Sequence, residues 1–319
     1  MTTKLPIHPK VPPPSLKQNS SLLYFTAGGL GAFMGAVATA PFDVVRTRLQ
    51  SSVYTKEVST PKKYFAFNSA TLSTLRKIAF NEGISGLYSG IGANLFGIIP
   101  SRAIQFATYG KTKQFLTELN SGIESTGVHL GSAITAGFVT STLTNPIWVV
   151  KTRVQLDHSN THKSYWKCLK HIIKNESFFG LYKGISASYL GLTEISIQWV
   201  VYEHLKKNQK KSSSQKPSLL EYMSLAGLAK LIASFASYPH EVLRTRMRQK
   251  PTETTINNSK VFTVKYKSLS QSALLIFKEE GIPGLYGGLS AHLLRVVPNT
   301  AIMFMAFEFF LEKFSQIQN

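Results

Sequence analysis

Four charged residues stand inside otherwise apolar stretches, where a charge is either used or neutralised. Arg102 is the lone charge of Ile91–Gly110, Glu194 of Ile185–Tyr202 and Arg295 of Leu289–Phe307; Lys230 shares Leu219–Pro239 with Glu221. A charge at membrane depth costs at least about 2.5 kcal/mol, which makes each of the four a candidate binding group. Three cations and one carboxylate suit a polyanionic solute that also carries hydrogen-bonding groups. An internal pair such as Arg102–Glu194 would account for two of them without a ligand. Other chemistry is missing from the chain. The eight His have no metal-ligand spacing, and Cys168 is the single cysteine, which excludes an intramolecular disulfide and a multi-Cys zinc site. There is no Ser/His/Asp constellation and no phosphate loop. The Gly-rich Ala27–Gly35 stretch lacks the spacing of a dinucleotide loop and reads as helix packing. No catalytic residue, metal or cofactor is expected, and the chain is not read as an enzyme.

The elements that must position these charges are long and apolar. The chain has 319 residues and a net charge of +20, yet only 16% of it is charged, below the roughly 25% of soluble domains. Leu22–Ala40 and Val128–Val150 contain no Asp, Glu, Lys or Arg. With the four stretches above they make six candidate spans, each near the ~20 residues that cross a bilayer. A nucleic-acid binder would need its basic residues on one solvated fold, whereas here uncharged spans separate them. Pro6, Pro9, Pro12, Pro13 and Pro14 exclude a helical signal peptide, so residues 1–21 read as a mobile arm. Lys206–Lys216 and Lys250–Lys267 read as polar loops.

The spans repeat in pairs. Pro41-Phe-Asp43-Val-Val-Arg46-Thr-Arg48 recurs as Pro146-Ile-Trp148-Val-Val-Lys151-Thr-Arg153 and as Pro239-His-Glu241-Val-Leu-Arg244-Thr-Arg246. Each is followed by a second block: Glu82-Gly83 to Tyr88-Ser-Gly90, Glu176-Ser177 to Tyr182-Lys-Gly184, and Glu280-Gly281 to Tyr286-Gly-Gly288. Small residues four apart precede each proline in register: Gly31/Gly35, Ala136/Thr140 and Ala229/Ala233. Such faces let membrane helices approach closely, and each proline should kink its helix. The three segments from motif proline to closing glycine hold 22 of the 36 Lys and Arg and nine of the 16 acids. Thirteen of the net 20 positive charges therefore lie in loops on one side, the distribution expected of an inward face.

These blocks resemble the signature of the mitochondrial carrier family, from about Leu22 to Phe314. The resemblance implies an all-α membrane protein: six transmembrane helices in three tandem repeats with threefold pseudosymmetry, plus short matrix helices. The repeats would span 22–119, 126–210 and 218–315, around a cavity open alternately to either side of the mitochondrial inner membrane. It implies a matrix gate of Asp43, Arg46, Trp148, Lys151, Glu241 and Arg244, with Asp43 paired to Lys151 and Glu241 to Arg46. Trp148 replaces the third acid, so Arg244 is expected to stack on the Trp148 ring. The opposite, cytoplasmic-side gate would use Lys113, Glu203, Lys206 and Glu308, with Glu308–Lys113 the one pair retaining both partners. That gate should be the weaker.

Differences between repeats mark the solute site. Lys230 stands where the other repeats have Ala32 and Gly137; Arg295 stands where they have Gly97 and Gly191. Gly191-Leu192 falls at a family position that resembles a nucleobase slot, with Gly97-Ile98 its first-repeat counterpart. Gln105, Gln198 and Trp199 lie a turn or two on, where base reading and ordinary packing account for them equally. From Gly184 to Tyr202 is 18 residues, against 19 for Gly90–Tyr109 and Gly288–Phe307, so the second repeat's register is open by one position. Within the family, Asn145-Pro-Ile-Trp148 resembles the branch carrying pyrimidine nucleotides, NAD, FAD or folate. Arg153–Asp157, Gly184–Gly191, Tyr238–Gln249 and Val297–Thr300 resemble most the pyrimidine nucleotide carriers. The implied partners are a nucleotide and an anionic, cardiolipin-like lipid, with no nucleic acid, around a monomer.

Overall fold

The computed structural model describes residues 18–52, 69–157, 164–212, 219–256 and 259–318. Among these, the helices are α1 Gln18–Gln50, α2 Ser69–Leu87, α3 Ile91–Leu119, α4 Thr126–Gln155, α5 Tyr165–Glu176, α6 Ile185–Leu190, α7 Thr193–Ser212, α8 Leu219–Ser237, α9 Pro239–Arg248, α10 Leu269–Leu285 and α11 Leu289–Gln318. Residues 1–17 of the expected arm lie outside the described residues, and its last four are already helical. The loop read from Lys250 to Lys267 contains an antiparallel hairpin, β1 Thr252–Ile256 and β2 Ser259–Thr263, with Thr252 opposite Thr263. Both strands are rich in β-branched residues, which favour the pleated backbone. The described fold is therefore helical with one small two-stranded addition.

The chain forms two compact units: Met1–Thr39 with Arg295–Asn319, and Ala40–Leu294. In the first unit α1 and α11 meet at Gly35. A Cβ there would come 2.8 Å from Asn299 Oδ1, so only glycine admits this approach. Thr39 Oγ1 donates to the Gly35 carbonyl at 2.8 Å and to Asn299 Oδ1 at 3.4 Å.

The second unit builds three like cores. Val44 and Val45 pack with Ile78, Val149 and Val150 with Ile172, and Val242 and Leu243 with Ile276. The three isoleucines each precede the motif glutamate by four residues, one helical turn, and are essentially fully buried. Amphipathic α5 shows the logic plainly: Cys168 and Ile172 face inward while Trp166 and Ile173 are exposed. After each glutamate the backbone takes φ near +70°, at Gly83 (φ 71°, ψ −172°), Ser177 (φ 66°, ψ 173°) and Gly281 (φ 67°, ψ −162°). That region is open to glycine and strained for serine.

Among the described residues one helix, α4, is by itself long and apolar enough to cross a membrane, and only 28% of its most apolar window is buried. Phe96, Ile99, Phe106, Phe138 and Leu143 are likewise exposed on α3 and α4. Apolar faces left so open mark surfaces for a membrane or for another protein. Helix α1 runs through Pro41 and α4 through Pro146, whereas the third repeat is interrupted at Tyr238, just before Pro239. The second repeat is interrupted elsewhere: α6 ends at Leu190 and α7 starts at Thr193, while α3 and α11 are unbroken at the corresponding point. The missing residue of the Gly184–Tyr202 interval is absorbed in that break at Gly191-Leu192.

Candidate functional site

The site is built on a framework that the repeat motifs supply. Arg48, Arg153 and Arg246 are 0–2% exposed, and each binds the motif glutamate of its own repeat through both guanidinium arms. The pairs are Arg48–Glu82, Arg153–Glu176 and Arg246–Glu280. Planar bidentate geometry makes these strong charge-assisted bonds. The remaining Nε donates to a backbone carbonyl of the next repeat: Arg48 to Gln155 at 3.1 Å, Arg153 to Arg248 at 3.1 Å and Arg246 to Gln50 at 2.5 Å. First repeat binds second, second binds third and third binds first, a closed cycle. The glycines that end the second blocks follow the same order. Gly90, Gly184 and Gly288, at φ +75° to +79°, lie against Gln155, Arg248 and Gln50. In the sequence these arginines and glutamates stand as motif letters with no partner marked. Their joint threefold recurrence is the signal that could have paired them.

Electrostatics follow from the geometry. Burial works against the charged Glu176 carboxylate, but Arg153 and Lys183, the latter at 2.6 Å, outweigh it and hold the carboxyl below the usual range. The short helix α5 is thereby tied at its C-terminus to α4.

Of the residues expected to form a gate, Arg46, Lys151 and Arg244 lie two positions before this layer and Asp43, Trp148 and Glu241 five positions before it. Asp43 binds Lys151 at 2.7 Å and Glu241 binds Arg46, as the motif pairing implies. Gln155 supports the first pair by donating to Asp43 Oδ2 at 3.0 Å, and Lys151 also donates to Asn94 at 2.9 Å. The expected Arg244–Trp148 stack is not formed. Arg244 turns instead to Glu241, three residues away on its own helix, and Lys151 lies over the Trp148 ring at 5.3 Å. The reason is local: an i,i+3 carboxylate is always within reach of a helical arginine. The Trp148 indole is fixed by donating to Thr144 Oγ1 at 2.9 Å.

At the opposite end, Lys113 binds Glu124 at 2.8 Å, and this hydrogen bond holds the Glu124 carboxyl below its ordinary range. Glu124 belongs to the α3–α4 connection and to no repeated motif, so the sequence pattern does not mark it. Lys206 faces Glu203 at 4.0 Å within α7. The side chain of Glu308 lies outside those described.

Of the four charges inside spans, two meet. Lys230 on α8 binds Glu194 on α7 at 2.6 Å, and Ser234 donates to the same carboxylate oxygen at 2.7 Å. Glu194 thus pairs with Lys230 and not with Arg102, which is exposed and donates to Gln105 one turn on at 3.3 Å. Gln198 lies four residues from Glu194 on the same helix, and Trp199 stacks on Tyr202 with centroids 6.3 Å apart. Arg295 lies in the other unit, half-buried on α11. Gly97 and Gly191 are close-approach positions. A Cβ on Gly97 would stand 3.0 Å from Ile147 and 3.3 Å from Trp148, and one on Gly191 2.6 Å from His240. Ile98 and Leu192 flank them, and Leu192 packs over Gly137.

The sequence profile described as Mitochondrial carrier protein matches residues 17–120, 124–213 and 215–318. The chain belongs to the mitochondrial carrier family. Among members of the family it is 43% identical to the mitochondrial pyrimidine nucleotide transporter RIM2 of Saccharomyces cerevisiae, over 90% of this chain and 84% of that one. It is 42% identical to the mitochondrial carrier protein rim2 of Schizosaccharomyces pombe, over 94% and 90% of the two chains. It is 37% identical to solute carrier family 25 member 33 of Homo sapiens, over 92% and 95%.

Proposed function

We propose that this carrier exchanges pyrimidine (deoxy)nucleoside di- and triphosphates across the mitochondrial inner membrane by alternating access. The observation that carries the reading is the 43% identity, over 90% of the chain, to a relative named as a pyrimidine nucleotide transporter. The site chemistry agrees with it. Arg102 and Arg295 supply guanidinium groups suited to phosphate, and the Lys230–Glu194–Ser234 cluster supplies polar groups suited to a sugar or base edge. The cyclic order of the Arg–carbonyl contacts supports three pseudosymmetric repeats of two spans each. Formed Asp43–Lys151 and Arg46–Glu241 pairs support a matrix gate that is shut. Lys113 and Lys206 engaged by Glu124 and Glu203 support an opposite gate that is open.

The same placement puts the three basic connecting segments in the matrix, with anionic lipid headgroups as their neighbours. A monomer suffices, since the cycle of contacts closes within one chain. The test is uptake of labelled UTP, TTP, NAD and folate by vesicles preloaded with each. UTP and TTP should enter fastest. Entry of NAD or folate alone would move the chain to another substrate of the same branch.

A further inference from the structure

The cycle of contacts has one irregular member. Nine residues after each motif proline stand Gln50, Gln155 and Arg248. The glutamines act alike. Gln155 accepts from Thr47 at 2.8 Å and Gln50 accepts from Thr245 at 2.8 Å, each from the repeat before it in the cycle. Arg248 departs from this pattern. It is 6% exposed, and it donates to Asn145 Oδ1 at 2.7 Å and to Ser188 Oγ at 3.2 Å, while its Nε meets no acceptor. Both acceptors are neutral, and none of its described hydrogen-bond partners is a carboxylate. A guanidinium buried on such terms is poorly compensated.

Its location matters. Asn145 and Ser188 belong to the second repeat, so Arg248 bridges the second and third repeats. That is the interface where Trp148 replaces the gate acid and Arg244 shares Glu241 with Arg46. Among the described ion pairs at gate level, Arg46, Lys151 and Arg244 meet the carboxylates of Asp43 and Glu241, and Arg248 adds a fourth cation one helical turn beyond Arg244. Two positive charges are left in excess along the path of an anionic solute.

We propose that Arg248, with Arg244, forms a second phosphate-binding position at the matrix mouth. It is taken by the terminal phosphates of the nucleotide when the second and third repeats part. This rests on the nucleotide-exchange reading above. Parting removes Asn145 and Ser188 from the Arg248 guanidinium and frees its planar donors, which match phosphate oxygens two at a time. At its gate positions the interface has Trp148 and Arg244 in place of an acid–base pair, and the ion pair that crosses it, Lys250–Asp157 at 3.5 Å, lies beyond the gate positions, so the gate level itself is least opposed to parting here.

Glutamine at 248 restores the residue used by the other two repeats, so Arg248→Gln should fold normally. In vesicles of known sidedness, this variant should raise the KM for UTP on the matrix-equivalent face about tenfold, or about 1.4 kcal/mol. UMP should be affected less, the opposite face should be unchanged, and Arg248→Lys should recover part of the loss. Equal change on both faces, or none on either, would overturn the proposal. A second measurement separates it from the functional reading. Tripolyphosphate should raise the unfolding temperature of the purified wild-type carrier more than that of Arg248→Gln, which keeps Arg102 and Arg295. If the wild type exchanges no pyrimidine nucleotide, the functional reading fails, while this difference still supports the anion position and its absence removes it.

Discussion

The layer of Arg48, Arg153 and Arg246 is the same three times, whereas the layer two residues earlier is not. In the first, every arginine binds its own motif glutamate and a carbonyl of the next repeat. In the second, two of the expected pairs form and the third is replaced by Trp148 and a borrowed carboxylate. The difference separates two tasks. Equal residues close the scaffold on itself, which requires identical geometry at each step. On the proposed reading, unequal residues face an asymmetric solute and let one interface yield before the others.

Breaking the regular layer should have the largest effect. Arg153→Ala leaves Glu176 with Lys183 alone, and loss of one partner of a buried pair costs roughly 3–5 kcal/mol. Thermal unfolding in detergent should show a comparable loss for Arg48→Ala and Arg246→Ala. One arginine that proves dispensable would end the equivalence of the three.

Acid should weaken the same layer. The folded Glu176 carboxyl titrates below its unfolded value, near 4.3 for an ordinary glutamate, so its contribution is complete at neutral pH. It is lost as pH falls through the folded-state value. Glu176→Gln should therefore be less stable than wild type at neutral pH and lose less on acidification below about pH 4.5. Parallel curves of unfolding temperature against pH would contradict this.

Repairing the irregular layer should slow transport without unfolding the protein. Trp148→Glu gives Arg244 a partner in another repeat, and a pair worth about 1 kcal/mol should slow exchange about fivefold. Faster exchange would show that the third interface is not the yielding one. The smallest effect belongs to Ser177, which holds a backbone conformation that Gly83 and Gly281 adopt without strain. Ser177→Gly should stabilise by about 0.5 kcal/mol, the relieved strain being partly offset by the entropy of the unfolded glycine. An unchanged or lower unfolding temperature would contradict this.

The threefold motif makes the helices, the Asp43–Lys151 and Glu241–Arg46 pairs and the charges inside apolar stretches legible in the amino-acid sequence. Register tells which residues recur at one level, but not which neighbour a long side chain reaches. Arg244 takes Glu241 on its own helix, and Lys113 takes Glu124 from a connection that no motif covers. The one-residue deficit between Gly184 and Tyr202 is visible in the sequence as a number, while the helix break at Gly191-Leu192 that absorbs it is a matter of backbone geometry. Charged residues such as Glu253 and Lys260 give the hairpin at Thr252–Thr263 the polarity of a loop and conceal its β-branched residues.

The division of tasks is tested most directly at Arg295, which breaks the symmetry inside a span. Exchange of labelled UTP should be measured for wild type and Arg295→Ala, with unfolding temperatures recorded for both. Rapid exchange by the wild type, and loss of exchange by a variant that unfolds at the same temperature, is the expected result. Undiminished exchange by Arg295→Ala, or no pyrimidine nucleotide exchange by the wild type, would contradict it.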